Sequence, residues 1–383
     1  MSVSHSSSPT TEHQASIQHL NDLIAKAGVS LNGEHPYDIV VHDPKMADMV
    51  LASGSLGLGE SYMAKMWDCA QIDVLLYKIL SSHVDEEVKN LKTLWYSVRA
   101  KIRNHQTKSK AFEVGKAHYD AGNELFKCML DPYMVYTCGY WRDADNLNQA
   151  QINKLDLVCQ KLSLKPGMRV LDIGCGWGGF MRYAAEHYGV ECVGVTISQE
   201  QVNLGQTLCA GLPIEFRLQD YRDLHDQFDA IVSLGMFEHV GHKNYQSYFE
   251  TAYRNLKNHG LFLLHSIGVL SKHYYPDPWL DKYIFPNGEL PNISQIADAT
   301  SNLFVIEDMH NFGADYDKTL MAWHHNFEEH WPQLQAHYDE TFYRMWRYYL
   351  LICAATFRTR QTQLWQFVLS KNGVPGGYQR PFV

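Results

Sequence analysis

Between Arg169 and Ile267 the apolar positions come in short, unbroken runs separated by stretches of helical spacing. Runs at 169–173, 191–196, 214–218, 230–234 and 260–267 have the length of single strands. Apart from 214–218, where Glu215 and Arg217 alternate with apolar residues, they lack the polar alternation of a half-exposed strand, as burial on both faces requires. Helical periodicity fills the intervals at 180–188, 199–209 and 245–256. A further helix at 147–162 precedes the set, with Pro166-Gly167 as its stop. Strands alternating with helices predict an α/β fold built on a mostly parallel, doubly wound sheet.

The chain before residue 117 has a different character. Ile17, Leu20, Leu23 and Ile24 fall at helical spacing, 37–41 reads as a short strand, and 60–80 as one helix. Gly54, Gly57 and Gly59 have no apolar strand before them, so they read as a turn into a helix and not as a phosphate cradle. Residues 1–15 carry no Lys, Arg or apolar block and read as a disordered tail, not a signal peptide. Segment 89–116 holds Lys89, Lys92, Arg99, Lys101, Arg103, Lys108, Lys110 and Lys116 against Glu113. Leu91, Leu94, Trp95, Val98 and Ile102 form an apolar stripe within it. Such a helix suits an anionic membrane surface, and equally a solvated interdomain connection. The expected organisation is a tail (1–15), a small, mainly helical N-terminal domain (16–88), a basic amphipathic linker (89–116) and the α/β domain (117–383).

Composition narrows the classes. A length of 383 residues accommodates two domains, and a net charge of −9 argues against general nucleic-acid binding. No apolar run of about 18 residues marks a spanning helix. Eight cysteines without a CxxC pair suggest reduced thiols in a cytoplasmic protein. No HExxH or other metal-ligand spacing occurs, so no metal is expected.

The chemistry centres on VLDIGCGWGGF, 170–180. An apolar strand there runs through Asp172 into Gly174, Gly176 and Gly178, where backbone N–H groups can approach a ligand closely. The next strand ends in Thr196, with Gln201 following, where a dinucleotide site would place an acid; this counts against NAD. Gln219, Asp220 and Tyr221 end the third strand. Asp220 suits either an adenosine amino group or a helix start. Glu238 and His265 stand at the ends of two more strands, although a lone histidine is commonly structural.

VLDIGCGWGG, LQDYRD and FDAIVSLGMFEHVG resemble the S-adenosylmethionine-dependent methyltransferases of the Rossmann-like class I. With GSLGLGESYM, HYDAGN, LDPYMVYTCGYW, GVTIS, KYIFPNG and FGADYDKTLMAW, the chain looks like the bacterial cyclopropane-fatty-acid-phospholipid synthases from about Gly54 to Trp323. That resemblance implies S-adenosylmethionine as methyl donor, contacted by Tyr136, Thr137, Asp172, Gly174, Cys175, Gly176, Trp177, Gly178, Thr196, Gln201, Gln219, Asp220 and Tyr221. Thr137 stands where relatives often carry Ser, and the hydroxyl is kept. The resemblance further implies bicarbonate as the base, held by Cys138, Glu238, His265, Tyr316 and the Ile267 backbone. Cys353 aligns with a cysteine offered as catalytic in the family, but its apolar helix favours packing.

The activity so implied is cyclopropanation of cis double bonds in membrane phospholipids. A homodimer acting peripherally at the inner, anionic face of the membrane is implied with it. Formation of a branched methyl or methylene product, methylation of a soluble amine or sterol, and non-catalytic donor binding are the competing readings.

Overall fold

The computed structural model describes residues 9–84, 122–271 and 275–381. The basic segment 89–116 and His118–Ala121 of the HYDAGN motif lie outside the described residues. The chain divides into two compact units. One comprises the described part of Met1–Arg103 with Asp277–Pro286 and Trp331–Thr359; the other comprises the described part of Asn104–Pro276 with Asn287–His330 and Arg360–Val383. Two segments that the sequence places in the α/β domain therefore cluster with the N-terminal residues.

The first unit is mainly helical, with a small antiparallel pair of β1 (Val40–Val41) and β2 (Trp67–Asp68). Its first helix, Pro9–Ala25, corrects the expectation of a disordered tail through residue 15. His13 Nδ1 lies 2.6 Å from Asp48 Oδ2, a tie that holds the start of this helix. Nor is 60–80 one helix. Helix Ser55–Met63 ends before Lys65, which takes φ 60°, and a new helix begins at Ile72 after β2. The expected strand at 37–41 shrinks to β1 because Asp38 folds back to accept from Ser30 N and His35 N. Gly54 makes the turn at φ 58°, whereas Gly57 and Gly59 lie inside the helix as close-packing positions. A Cβ at Gly57 would strike the Met49 carbonyl, and one at Gly59 the Trp279 ring.

Buried Arg344, on helix Glu340–Arg358, closes this unit. Its guanidinium donates to the carbonyls of Tyr62 and Trp67 and to Asp68, and lies over the Tyr62 ring. Tyr62 lies at the end of helix Ser55–Met63 and Trp67 in β2, so one side chain ties the helix end to the strand.

The second unit is the α/β domain. Its sheet contains β3 (Arg169–Ile173), β4 (Glu191–Thr196), β5 (Ile214–Leu218), β6 (Phe228–Leu234), β7 (Leu256–Val269), β8 (Phe304–Asn311) and β9 (Thr362–Lys371). The order is β5-β4-β3-β6-β7-β9-β8; β9 runs antiparallel to both neighbours and the other pairings are parallel. Successive strand residues fill opposite cores: Leu171, Val193, Ile231 and Phe262 on one face, Val170, Cys192, Ala230 and Leu261 on the other. This is why the runs are uninterrupted in the sequence. The order reverses between β3 and β6, leaving a crevice at their carboxyl ends. No helix among the described residues is long and apolar enough to cross a membrane.

Replacing Arg344 with Met should remove the hydrogen bonds that tie the end of helix Ser55–Met63 to β2. We predict a loss of about 2–4 kcal/mol, read as a lowered urea midpoint for that unit's transition. An unchanged midpoint would assign the break in the helix no dependence on Arg344.

Candidate active site

At the end of β3 the chain turns through 174–178 into helix Gly179–Tyr188. Gly174, Gly176 and Gly178 have φ of 82°, 54° and 85°, a region strained for residues with a Cβ. A Cβ on Gly174 would meet Met236 and one on Gly178 would meet Phe216, whereas one on Gly176 would meet open space. Gly174 and Gly178 are thus packing positions, and Gly176 leaves the room a ligand needs. Asp172 is buried just before the turn, with Oδ1 unpartnered. Burial pushes its carboxyl up to about 7, against the pull of the Lys154 charge. Cys175 is buried in the turn, and burial raises its thiol far above the ordinary range.

Aromatic rings lead away from this turn. Trp177 packs on Phe126 at 4.9 Å and donates to Asn123. Phe126 meets Tyr136 at 5.0 Å, Tyr136 meets Trp323 at 5.1 Å, and Trp323 meets Tyr316 at 6.0 Å. Across the adjacent strand ends, Thr196 Oγ1 donates to Gln201 Oε1 at 2.7 Å, and Gln219 N donates to the Thr196 carbonyl. Asp220 accepts from Arg222 N at the start of the turn Tyr221–Asp223, and both of its oxygens accept from the Arg222 guanidinium. Of the two readings open for Asp220, the helix start describes these contacts. Tyr221 sets its ring edge-on to Tyr248.

A second cluster gathers at the ends of β6 and β7. Glu238 lies in the short helix Phe237–His239, and its Oε1 accepts from Ile267 N at 2.7 Å. Its Oε2 is buried without a partner, and burial raises the carboxyl to about 7 despite the Ile267 bond. His265 is also buried; Nδ1 lies 3.2 Å from Gln366 Nε2, and Nε2 has no partner. Burial, with the charges of Lys154 and Lys161, holds this imidazole neutral. Cys138 is buried 3.8 Å from Thr319 Oγ1, one helical turn beyond Tyr316. Its thiol is raised well above the usual range by burial and by Asp315. Thr319 Oγ1 also accepts from Gly139 N and Trp141 Nε1, which fixes the backbone around Cys138.

The family model described as mycolic acid cyclopropane synthetase matches residues 106–367. The chain belongs to this family. It is 53% identical over 358 residues to the cyclopropane-fatty-acyl-phospholipid synthase of Escherichia coli K12, covering 93% of this chain and 94% of that one. Among solved structures, the cyclopropane synthase MmaA2 of Mycobacterium tuberculosis superposes with a TM-score of 0.64 at 33% identity, covering 68% of this chain and 98% of that chain. The mycolic acid cyclopropane synthase CmaA1, complexed with SAH and CTAB, gives 0.65 at 35% identity, covering 71% and 100%. The fold is accordingly that of the class I S-adenosylmethionine-dependent methyltransferases, and the chain is an enzyme of that class.

The second unit contains Cys138, Glu238, His265, Ile267 and Tyr316 together with every expected donor contact; Cys353 belongs to the first unit. Burial raises the Cys353 thiol far above the range in which it would ionise near neutrality, in keeping with the packing role. Sequence reasoning missed Lys154, Thr319 and Gln366. Lys154 alone left a signal: a lysine at a core-facing position of helix Leu147–Lys161, beside Ala150, Leu155 and Val158.

Asp172 yields a stability prediction. Its folded-state pKa exceeds its unfolded value, so the folded chain holds the extra proton between about pH 4 and about pH 7. Stability therefore falls as pH rises through that window. Asp172→Asn removes this term. We predict that the ligand-free variant matches the parent near pH 4 and is more stable by roughly 1–3 kcal/mol above pH 7, the Lys154 attraction limiting the gain. Urea unfolding at both pH values measures this gap, and a gap independent of pH refutes the assignment.

Proposed function

We propose that this protein transfers a methylene unit from S-adenosylmethionine to the cis double bond of unsaturated acyl chains in membrane phospholipids, forming a cyclopropane ring. The similarity to the Escherichia coli enzyme over nearly the full length of both chains carries this reading. The SAH in the CmaA1 complex, the donor without its methyl, supports the choice of donor. The donor's sulfonium supplies an electrophilic methyl: the alkene π pair forms the new C–C bond as the S–CH₃ bond breaks, and loss of a proton from that methyl closes the ring.

The residues at the crevice suit those demands. Asp172 offers a buried carboxylate to a cationic donor, and Gly176 leaves space above the turn. The aromatic line from Trp177 to Tyr316, buried except at the half-buried Tyr136, would help exclude water, which would trap a carbocation. Ring faces stabilise such a cation by about 0.5–2 kcal/mol each. Hydrogencarbonate would supply the base. The unpartnered Glu238 Oε2 and His265 Nε2 fit such an anion, with Tyr316 and Cys138 as further walls. Ile267 N–H fixes Glu238 so that one oxygen remains for this purpose. A carboxyl raised to about 7 can share a proton with a second oxyanion, which two full charges in contact could not do.

Incubation with vesicles of cis-monoenoyl phospholipid should add CH₂ to the acyl chain in a form that survives alkene hydrogenation. A product lost on hydrogenation points to a methylene compound, and turnover on a soluble amine alone defeats the lipid reading. Glu238→Gln should lower turnover by roughly 10²-fold or more with donor affinity retained, and added bicarbonate should restore part of it. Near-normal turnover removes Glu238 from the mechanism.

The reading extends to a homodimer bound peripherally at the inner, anionic membrane face, with segment 89–116 as the contact. Neutralising Lys101, Arg103 and Lys108 together should weaken partition to anionic vesicles by about tenfold at low salt, and less as salt rises. Unchanged partition returns that segment to an interdomain role.

A further inference from the structure

Lys154 is a fully buried cation, at 0% exposure, to which neither the resemblance nor the proposed reaction assigns work. Lysines are almost never buried without a partner, and among the described residues no carboxylate lies within 4 Å of its ammonium. Its hydrogen bond is to Thr137 Oγ1, at 2.8 Å. The amine stays protonated at neutral pH, so in this bond it only donates. The Thr137 oxygen is the acceptor, and its own proton must point elsewhere. Among the described residues no protein group accepts that proton.

Thr137 is held from every side. Gln151, one turn earlier on the same helix, donates to the Thr137 carbonyl at 2.8 Å. The Thr137 methyl packs over Gly235, where any Cβ would collide with it. The methyl thus faces the end of β6, the oxygen faces Lys154, and the hydroxyl proton is left for a ligand. Gly235 follows β6 by one residue, and β6 pairs Val232 with Asp172 of β3. The Asp172 carboxylate, with Oδ1 unpartnered, lies within the field of the same ammonium. Asp131, also in that field, is occupied by Tyr133 N and Val135 N. Cys138 and His265 complete the titratable groups that feel Lys154, and neither carries charge at neutral pH.

One hydroxyl made into a donor and one carboxylate kept as an acceptor match the carboxylate and ammonium of an α-amino acid. We propose that Lys154 is a positioning residue of the donor pocket: through Thr137 and Asp172 it prepares the site for the zwitterionic amino-acid end of S-adenosylmethionine. The assignment rests on the donor reading above and deepens it. Lys154 touches no reacting atom; it sets the polarity of two groups that meet the donor.

The test is calorimetric binding to the full chain of S-adenosylmethionine and of 5′-methylthioadenosine, which lacks the amino-acid end. Lys154→Met should weaken S-adenosylmethionine by ~10-fold or more, as loss of a charge-assisted contact does, and leave methylthioadenosine within about twofold. Thr137→Val should show the same selectivity, and Lys154→Met added to Thr137→Val should cost little more at the carboxylate. The Thr137 variant also serves should the Lys154 variant fail to fold. Equal weakening of both ligands in either variant, or full S-adenosylmethionine affinity in Lys154→Met, overturns the assignment while leaving the donor reading intact. A parent protein that binds neither ligand overturns the donor reading and this assignment with it.

Discussion

The reversal of strand order between β3 and β6 is the constraint from which the site follows. The chain leaves β3 toward β4 and β5 on one side, then returns to β6 on the other, so no connection covers the carboxyl ends of the central pair. Polar groups hung there escape the rule that sheet interiors must be apolar, because a ligand can satisfy them. Asp172 and Glu238 stand at such ends and His265, within β7, lies beside the last residue of β6; each keeps a buried polar atom without a protein partner. Other buried polar groups of the second unit, such as Asn255 and Ser233, are bonded to backbone. Polar atoms left open at one crevice are what a ligand-completed pocket requires.

Leaving such groups unpaired costs stability, and the structure shows how the cost is contained. A carboxylate buried alone destabilises its own ionised form, so Asp172 and Glu238 are both raised to about 7. One ammonium, on Lys154, lowers Asp172, is itself supported by Asp131, and disfavours a second positive charge on His265. A single buried cation on a packed helix thus biases several groups at once, with little solvent screening. The site is held near a charge balance that small changes of ligand charge can tip.

Much of this was legible before any coordinates, for physical reasons. Strands covered on both faces are apolar through their interior, so 169–173 and 191–196 could be read to the residue; the edge strand 214–218 was legible from its alternation and its place in the series. A turn that must admit a ligand needs glycine, so 174–178 stood out. What stayed hidden depended on partners distant in sequence. Helix Ser55–Met63 ends where Lys65 takes a left-handed conformation, and Arg344, far along the chain, donates to the Tyr62 and Trp67 carbonyls on either side of that turn. β9 lies antiparallel between β7 and β8, a placement local propensity does not encode. Grouping 331–359 with the N-terminal residues rests on contacts such as Arg358 with Asp73, again invisible locally. Thr319 and Gln366 are ordinary polar residues until their neighbours are known.

The acceptor side of the crevice explains why a protein carboxylate is an unsuitable base for the proposed ring closure. A base must approach a carbocation closely, and a free carboxylate at that distance would itself form a C–O bond with it. Glu238 is prevented from doing so in two ways. Its Oε1 is occupied by Ile267 N–H, and burial raises its carboxyl, which favours the protonated form. A group so placed is better suited to orient a small anion than to meet the cation. His265, neutral and with Nε2 unpartnered, can contribute a hydrogen bond to that anion without adding charge that would repel the cation. Under the proposed reading, a neutral imidazole and a carboxyl of raised pKa around one small oxyanion would give the pocket a base whose position the protein sets but whose reactive oxygen is not part of the protein.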